Sequence, residues 1–377
     1  MKRFIIILSV FCILLLAVSI FIKPVIIILT KKQLRNVFIQ SRVAVGGCVL
    51  RPLRGVSLLD IEIKKQGVYD IKIKEAAVRY NLLKAGPLKL FLKDTGIYLN
   101  TPKKEIREFA GSLNLGRGSP PIFGSLDVSK LTLDLNTLDL TAKATLSLGL
   151  NLLTQNLDYL DFKMDIFKMP GVQTENVFLK LYPNSAAGNF SIAQMKYDKL
   201  RVTDIKGNLK LEDMILSLYG VSARTLDGDL RADMDLKINK QAQYTLNLKC
   251  ADLDIERFVR DFNLREKFDM SGRLSGDLKL QGKGAHIEIL GGNFSTLEPG
   301  GTLVIRDTKF LENMARKSRQ PLDLLGESFK DFRYNTGVMS LSFEEGNIIL
   351  KIELEGEAGK RNLKVVLHNF SLGKEEQ

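Results

Sequence analysis

The sequence predicts a mainly β protein whose body is a long antiparallel sheet with few helices. Apolar and charged residues alternate strictly from Leu59 to Lys64 and again from Ile71 to Lys74, a pattern typical of strands with one dry and one wet face. Turn signals such as Gly86-Pro87 and Asp227-Gly228 separate these segments. The alternation alone leaves open whether the sheet closes into a sandwich or stays open.

The longest alternating segments, Leu138–Leu150 and Leu226–Ile238, place an apolar side chain at nearly every second position. Helical spacing is scarce by comparison. A short helix is predicted over Glu256–Phe262 and a longer one over Thr308–Phe332, which Pro321 must break or restart because it lacks a backbone N–H.

The N-terminal residues predict a membrane anchor. No charge interrupts the stretch from Phe4 through Ile13 to Ile22, which is long enough to span a hydrocarbon core of about 30 Å as a helix. A cleaved secretory signal is the alternative, because Ala17-Val18-Ser19 loosely fits a cleavage site. We favour the uncleaved anchor, since the apolar stretch is long and lacks a polar end.

The net charge of +12 belongs to this N-terminal segment, because nine basic residues precede Asp60, the first acidic one. The remaining chain carries 46 basic and 43 acidic residues and shows no basic stripe, which argues against a nucleic-acid partner. Lys31, Lys32 and Arg35 follow the apolar stretch and are candidates for contact with anionic headgroups, or simply solvated flanks. By the positive-inside rule alone, the basic residues on the two sides of the apolar stretch slightly favour an orientation in which the body of the protein is not exported.

No motif for catalysis or cofactor binding stands out, so we predict no enzyme, no cofactor and no metal. His286 and Glu288 form an H-x-E without the cysteine pair of zinc deaminases. A second polar cluster resembles calcium ligands but alternates along a strand as a solvated face would: Asp227, Asp229, Asp233 and Asp235. Cys48 and Cys250 lack motif spacing, and whether they pair stays open.

Several segments carry a family resemblance. Those that resemble AsmA-like envelope proteins are Arg54–Ile63, Val78–Leu83, Val202–Leu209, Leu226–Leu230 and Ser271–Gly276. The C-terminal segments Ser328–Tyr334, Ile348–Leu350 and Leu354–Gly356 are similar to the end of YdbH-type proteins.

This resemblance implies a single-pass anchor in the bacterial inner membrane and a periplasmic body, which overrides the charge count. It also implies a curled, groove-like sheet whose apolar interior carries phospholipid between the inner and outer membranes. The implied partners are membrane lipids and, at the C-terminus, an outer-membrane or envelope protein. The alternative function is a lipid-free scaffold or assembly factor for the outer membrane.

The expected organisation is an anchor over residues 1–30, a basic segment over 31–53, a β-groove over 54–306, a helical segment over 307–333 and C-terminal strands over 334–377. The apolar residues that we expect to line the groove are Leu133, Leu140, Leu146, Leu148, Leu230, Met234 and Leu236. Ordinary packing between two sheets is the alternative for each of them.

Overall fold

The computed structural model describes residues 22–38, 40–51, 55–80, 87–99, 123–137, 140–154, 156–182, 187–212, 215–237, 242–266, 268–284, 286–309, 311–312, 316 and 321–367. The chain divides into two compact units, residues 1–185 and 186–377. Each unit is built around antiparallel strands, so the predicted β class is confirmed.

The first unit opens with helix α1, which covers residues 22–37. A sheet follows whose strands pair in chain order. They are β1 (Arg42–Arg51), β2 (Gly55–Lys65), β3 (Tyr69–Arg79), β4 (Leu88–Leu99), β5 (Phe123–Asn136), β6 (Thr141–Asn151), β7 (Asn156–Met169) and β8 (Val172–Leu181). The sheet therefore begins inside the segment 31–53, where the sequence indicated only basic flanking residues.

One pairing in the first unit departs from the predicted antiparallel arrangement, because β4 and β5 run parallel. Parallel neighbours need a long connection, and β5 begins 24 positions after the end of β4. Among the described residues, no pairing joins β1 to β8, so the sheet of this unit is open rather than closed on itself.

The second unit contains a ten-stranded antiparallel sheet and a small three-stranded one. The large sheet has the order β9 (Ala187–Tyr197), β10 (Leu200–Glu212), β11 (Ile215–Thr225), β12 (Gly228–Lys237), β13 (Gln243–Asp254), β15 (Arg273–Lys283), β16 (His286–Thr296), β19 (Thr336–Glu344), β20 (Asn347–Gly356) and β21 (Gly359–Leu367). The small sheet comprises β14 (Phe268–Met270), β17 (Gly301–Ile305) and β18 (Phe332–Tyr334).

Two short helices complete the second unit, α2 (Ile255–Asp261) and α3 (Leu322–Ser328). Helix α2 confirms the prediction for this segment, and Asp254 caps it by accepting a hydrogen bond from the Arg257 N–H at 2.9 Å. The helical segment predicted over Thr308–Phe332, with a break or restart at Pro321, is confirmed in part. The residues described at 308–309, 311–312 and 316 are helical, and α3 begins directly after Pro321. The predicted end is wrong, because Phe332 pairs as a strand in β18.

Left-handed residues bend several strands from within. Asp60 in β2 and Asp94 in β4 have φ of 52° and 47°, and Asp204 in β10 and Asp252 in β13 have 54° and 58°. Asp tolerates this conformation better than most residues because its short side chain can hydrogen-bond locally. Register shifts accompany the residues in β10 and β13, and such bulges bend a strand and increase its twist.

In the first unit, the left-handed residues also change which residues face the core. Ile61 and Ile63 belong to its core, yet beyond Asp60 it is Leu58 that packs against that core. The apolar face thus passes from odd-numbered to even-numbered positions along β2 and remains continuous.

The core of the first unit lies where α1 meets one end of the sheet. Phe38, just after α1, is 8% exposed and packs edge-on against Tyr69 with ring centroids 6.1 Å apart. Ile27 and Leu34 of α1 pack against the same cluster. The core of the second unit joins α2 and the small sheet, which we call the cap, to the large sheet through Leu354 and Leu363.

Candidate functional site

The described strands bring apolar side chains into rows that cross from strand to strand. Row A, in the first unit, consists of Val45, Ile61, Ile73, Thr95, Leu131, Leu146, Phe162 and Leu179, and each residue pairs directly with the next. Row B lies beside it and consists of Leu58, Ala76, Leu92, Val128, Leu148, Leu160 and Leu181. Directly paired residues lie on one face of a sheet, so these two rows form a mostly apolar surface, in which Thr95 is the polar residue.

The second unit repeats this arrangement. Row C consists of Leu218, Met234, Leu246, Leu280 and Leu290. Row D consists of Val221, Ala232, Leu248, Leu278, Gly292, Leu341 and Leu350. The other face of β12 is charged and exposed, because Asp229, Arg231, Asp233, Asp235 and Lys237 alternate with the apolar residues.

The side chains of row C are half-buried, and none of them belongs to a core cluster among the described residues. The cap reaches the large sheet elsewhere, at Ile352, Leu354, Leu363 and Leu274. The residues of row C are therefore partly covered by their neighbours in the sheet and not by the core of the cap, and part of their apolar surface remains accessible.

The structure separates the seven predicted groove residues into two groups. Leu133 and Leu140 pack against the core of the first unit, and Leu230 packs against a core cluster of the second unit. Leu146, Leu148, Met234 and Leu236 are half-buried and lie outside the core clusters of the described residues. The second group provides the accessible apolar surface that a bound chain could contact.

The predicted anchor lies mostly outside the described residues, and this includes Phe4 and Ile13. Ile22, the first described residue of α1, is 41% exposed, and Val25 and Ile28 of the same helix are 53% and 64% exposed. No helix within the described residues combines the length and the apolar character that crossing a membrane requires.

The three basic candidates all lie on α1. Lys32 and Arg35 are exposed, and Lys31 is half-buried. They follow the exposed apolar residues of the same helix at the next turns, so α1 presents an apolar part and then a basic part.

The polar clusters that the sequence offered have ordinary structural partners. Asp227 and Asp229 form ion pairs with Arg257 and Arg224, the latter at 3.7 Å. Asp233 accepts a hydrogen bond from the Gly220 N–H at 2.8 Å, and Asp235 accepts one from Ser217 Oγ at 2.5 Å. Each carboxylate is thus held separately, and the described residues contain no group of metal-ligating side chains.

The two described cysteines are free and buried. Burial raises the pKa of the Cys48 thiol, and it also raises that of Cys250. Both thiols are therefore less reactive than exposed ones, because the thiolate is the nucleophilic form.

Comparison with known families fits this arrangement. Residues 129–360 match the model of the YdbH-like family, which is described as intermembrane phospholipid transport protein YdbH. The match covers more than half of the chain. The chain belongs to the YdbH-like family. No curated protein and no solved structure gives a match.

Membership of the YdbH-like family confirms the resemblance found in the sequence. The matched segment contains all seven predicted groove residues and rows C and D in full. It does not include α1 or β1 to β4, so the family match gives no information about the function of these elements.

Sequence reasoning missed two features of the site. The first is the set of left-handed aspartates, such as Asp60, which a break in the alternation at Leu58-Leu59 could have revealed. The second is a pair of arginines, Arg51 and Arg79, that pairing across Gly55 brings together. They are 28 positions apart, and only the register of three strands makes them neighbours.

Proposed function

We propose that this protein binds phospholipid acyl chains along the half-buried parts of rows A to D and carries them between the inner and outer membranes. The observation that supports this most directly is the half-buried state of row C, whose leucines and methionine lie outside the core clusters of the described residues. An apolar face of this kind is unfavourable in water unless something covers it. The description of the YdbH-like family supplies the class of that occupant.

The dimensions of the rows suit an acyl chain. Strands lie about 4.8 Å apart, so the seven strands that row D crosses extend over about 29 Å. The hydrocarbon core of a bilayer is about 30 Å thick, so one row could shelter two acyl chains end to end. Each methylene group of an acyl chain that the row keeps out of water makes the free energy of binding more favourable by about 0.8 kcal/mol.

In this proposal, residues 4–22 anchor the chain in the inner membrane and the body lies in the periplasm. Lys31, Lys32 and Arg35 contact headgroups at the membrane surface, and an outer-membrane or envelope protein meets the C-terminal end. The bent strands curl the sheet into a groove around the rows, as bulges do. Transfer needs no covalent step, so we assign no catalytic residue, cofactor or metal.

The test places a photoreactive amino acid at Met234 in row C or at its neighbour Asp235, which lies on the opposite face of β12. The full chain is purified in mild detergent and irradiated, and adducts are analysed by mass spectrometry. We expect a phospholipid adduct at position 234 and none at position 235.

Equal labelling at the two positions, or no phospholipid at either, would contradict the proposal. A lipid-free protein would instead support the scaffold function. Placing the probe at Leu146 in row A, with Ser147 as its matched control, applies the same test to the first unit.

A further inference from the structure

Two arginines face each other across a glycine at one end of the sheet in the first unit. Arg51 is the last residue of β1 and Arg79 the last residue of β3, and both pair with Gly55, the first residue of β2. Directly paired residues project from the same face, and two strand spacings separate the Cα atoms of the arginines by about 10 Å. The two guanidinium groups therefore border one space.

That space is a cavity of about 430 Å³ lined by Arg51, Gly55, Val56, Ser57, Ala77, Val78 and Arg79. Only glycine suits the middle position. Gly55 has φ of +146°, and a Cβ there would lie 2.2 Å from the Val78 carbonyl oxygen. The β3 backbone therefore approaches Gly55 too closely for any side chain at this position.

The cavity carries surplus positive charge. Neither Arg51 nor Arg79 forms an ion pair within the described residues, and Lys89 extends the row by pairing with Arg79. Glu75 is nearby but accepts a hydrogen bond from Ser57 Oγ at 2.9 Å. The lining residues include no acidic side chain among those the structure describes.

One of the two guanidinium groups is held in place before any ligand binds. Arg79 lies over the ring of Phe91, with its Cζ atom 4.0 Å from the ring centroid. Cation–π contact of this kind restricts the side chain while leaving its N–H donors free. Less freedom is then lost when those donors bind a ligand.

The cavity lies at the end of the strands, on the face opposite to row B. Leu50, Val56, Val78 and Leu90 form a row of paired residues just one position further from the strand ends. Because successive residues of a strand project from opposite faces, this apolar row faces away from the two arginines. An anion bound there would therefore be separated from the apolar side chains by the thickness of the sheet, at its open end.

We propose that Arg51 and Arg79 form a binding site for a phosphate group. Planar guanidinium groups match phosphate oxygens with pairs of parallel hydrogen bonds, and two of them can engage one phosphate from both sides. A lipid phosphodiester and free inorganic phosphate share this chemistry. The assignment to a lipid headgroup rests on the function proposed above, whereas the anion site rests on the arginines alone.

The experiment measures binding to the full chain in neutral detergent by calorimetry. The probes are inorganic phosphate, short-chain dihexanoylphosphatidylglycerol and the phosphate-free dihexanoylglycerol. The variants are Arg51→Gln, Arg79→Gln, the double variant and Arg79→Lys, with Arg42→Gln as the matched control. Arg42 is the exposed first residue of the same strand, β1.

We expect each single glutamine variant to weaken phospholipid binding about tenfold, which corresponds to about 1.4 kcal/mol. Arg79→Lys should lose less affinity, and Arg42→Gln should bind the phospholipid as the parent does. Binding of dihexanoylglycerol should be the same in all five variants. Binding of inorganic phosphate alone, with the same sensitivity, would support the anion site and make free phosphate its ligand.

Unchanged affinity in the double variant, with an unchanged circular dichroism spectrum, would overturn the site. The transport function would still stand in that case if the photoreactive residue at position 234 forms a phospholipid adduct. Absence of this adduct in a protein with both arginines intact would contradict the transport function and would say nothing about the arginines.

Discussion

The hydroxyl of Tyr334 in β18 donates a hydrogen bond to the backbone carbonyl of Ser271, the residue that follows β14. The Tyr334 side chain is 1% exposed, and burial raises its pKa to about 12. Gly272 and Gly301 close around it, since a Cβ at either position would lie 2.7 or 2.8 Å from the Tyr334 hydroxyl oxygen. One polar atom thus connects outer strands of the small sheet inside the core of the cap.

Tyr334 should make the second unit sensitive to alkaline pH. An unfolded tyrosine loses its proton near pH 10, whereas the folded one keeps it until about pH 12. This difference in pKa contributes up to about 2.7 kcal/mol to the free energy of unfolding. The contribution is fully present below pH 10 and is lost as the pH rises from 10 to 12. Urea unfolding at pH 9, 10 and 11 measures it.

The matched comparison for that measurement is Tyr334→Phe against Tyr197→Phe. Tyr197 is 62% exposed and should leave the pH dependence unchanged. Tyr334→Phe should cost about 1 kcal/mol at neutral pH, because the Ser271 carbonyl loses its donor, and should flatten the alkaline slope. An equal dependence of unfolding free energy on pH in the parent protein and both variants would show that the pKa of Tyr334 is not raised by folding.

The left-handed backbone at Asp60 predicts an unusual ranking of substitutions. Asp60→Gly should be tolerated, because glycine adopts a φ of 52° without strain. Asp60→Val should lose about 1–2 kcal/mol of stability, since a β-branched residue does not suit this conformation. Glu62→Val changes another exposed residue of β2, two positions along, and is the control that should change stability by less than about 0.5 kcal/mol. Thermal unfolding compares the three.

Phe38 should secure α1 to the sheet of the first unit. Phe38→Ala removes a ring that is 8% exposed and packs against Tyr69, so we expect a loss of about 3 kcal/mol. Val37→Ala changes the preceding residue, which is 43% exposed, and should have little effect. Chemical unfolding tests both, and equal losses would mean that α1 contributes no packing.

A charge in row C should abolish lipid binding without unfolding the protein. Met234→Asp introduces a carboxylate at a half-buried position, whereas Val259→Asp introduces one at a side chain that is 0% exposed. We expect the first variant to fold and lose its bound phospholipid, and the second to unfold the cap. Arg231→Asp, on the opposite face of β12, should keep both fold and lipid.

Lipid extraction with mass spectrometry and circular dichroism report the two properties separately. The pair Leu146→Asp and Leu148→Asp extends the comparison to the first unit. Unfolding by Met234→Asp to the same degree as Val259→Asp would mean that row C is ordinary packed core.

Much of the fold was predictable because strand alternation is a local property. The segment Leu226–Ile238 alternates as predicted, and its strand β12 presents one apolar and one charged face. The parallel pairing of β4 and β5 was not predictable, since it depends on a crossover that leaves no local pattern. The helical segment expected over Thr308–Phe332 was wrong only at its end, for a related reason. Phe332 fits a helix by spacing, but it pairs in β18 and packs in the core of the cap with residues that are distant in sequence.

The sequence by itself determined that the body is a β-sheet with one apolar face, because side chains in a strand project alternately whatever the strand pairs with. It also determined the family resemblance. Only the tertiary structure decided which apolar residues remain accessible. Leu133, Leu140 and Leu230 pack against core clusters, whereas Leu146 and Met234 stay half-buried outside them. Burial depends on the neighbours that strand register brings close, and the same register brought Arg51 and Arg79 to opposite sides of Gly55.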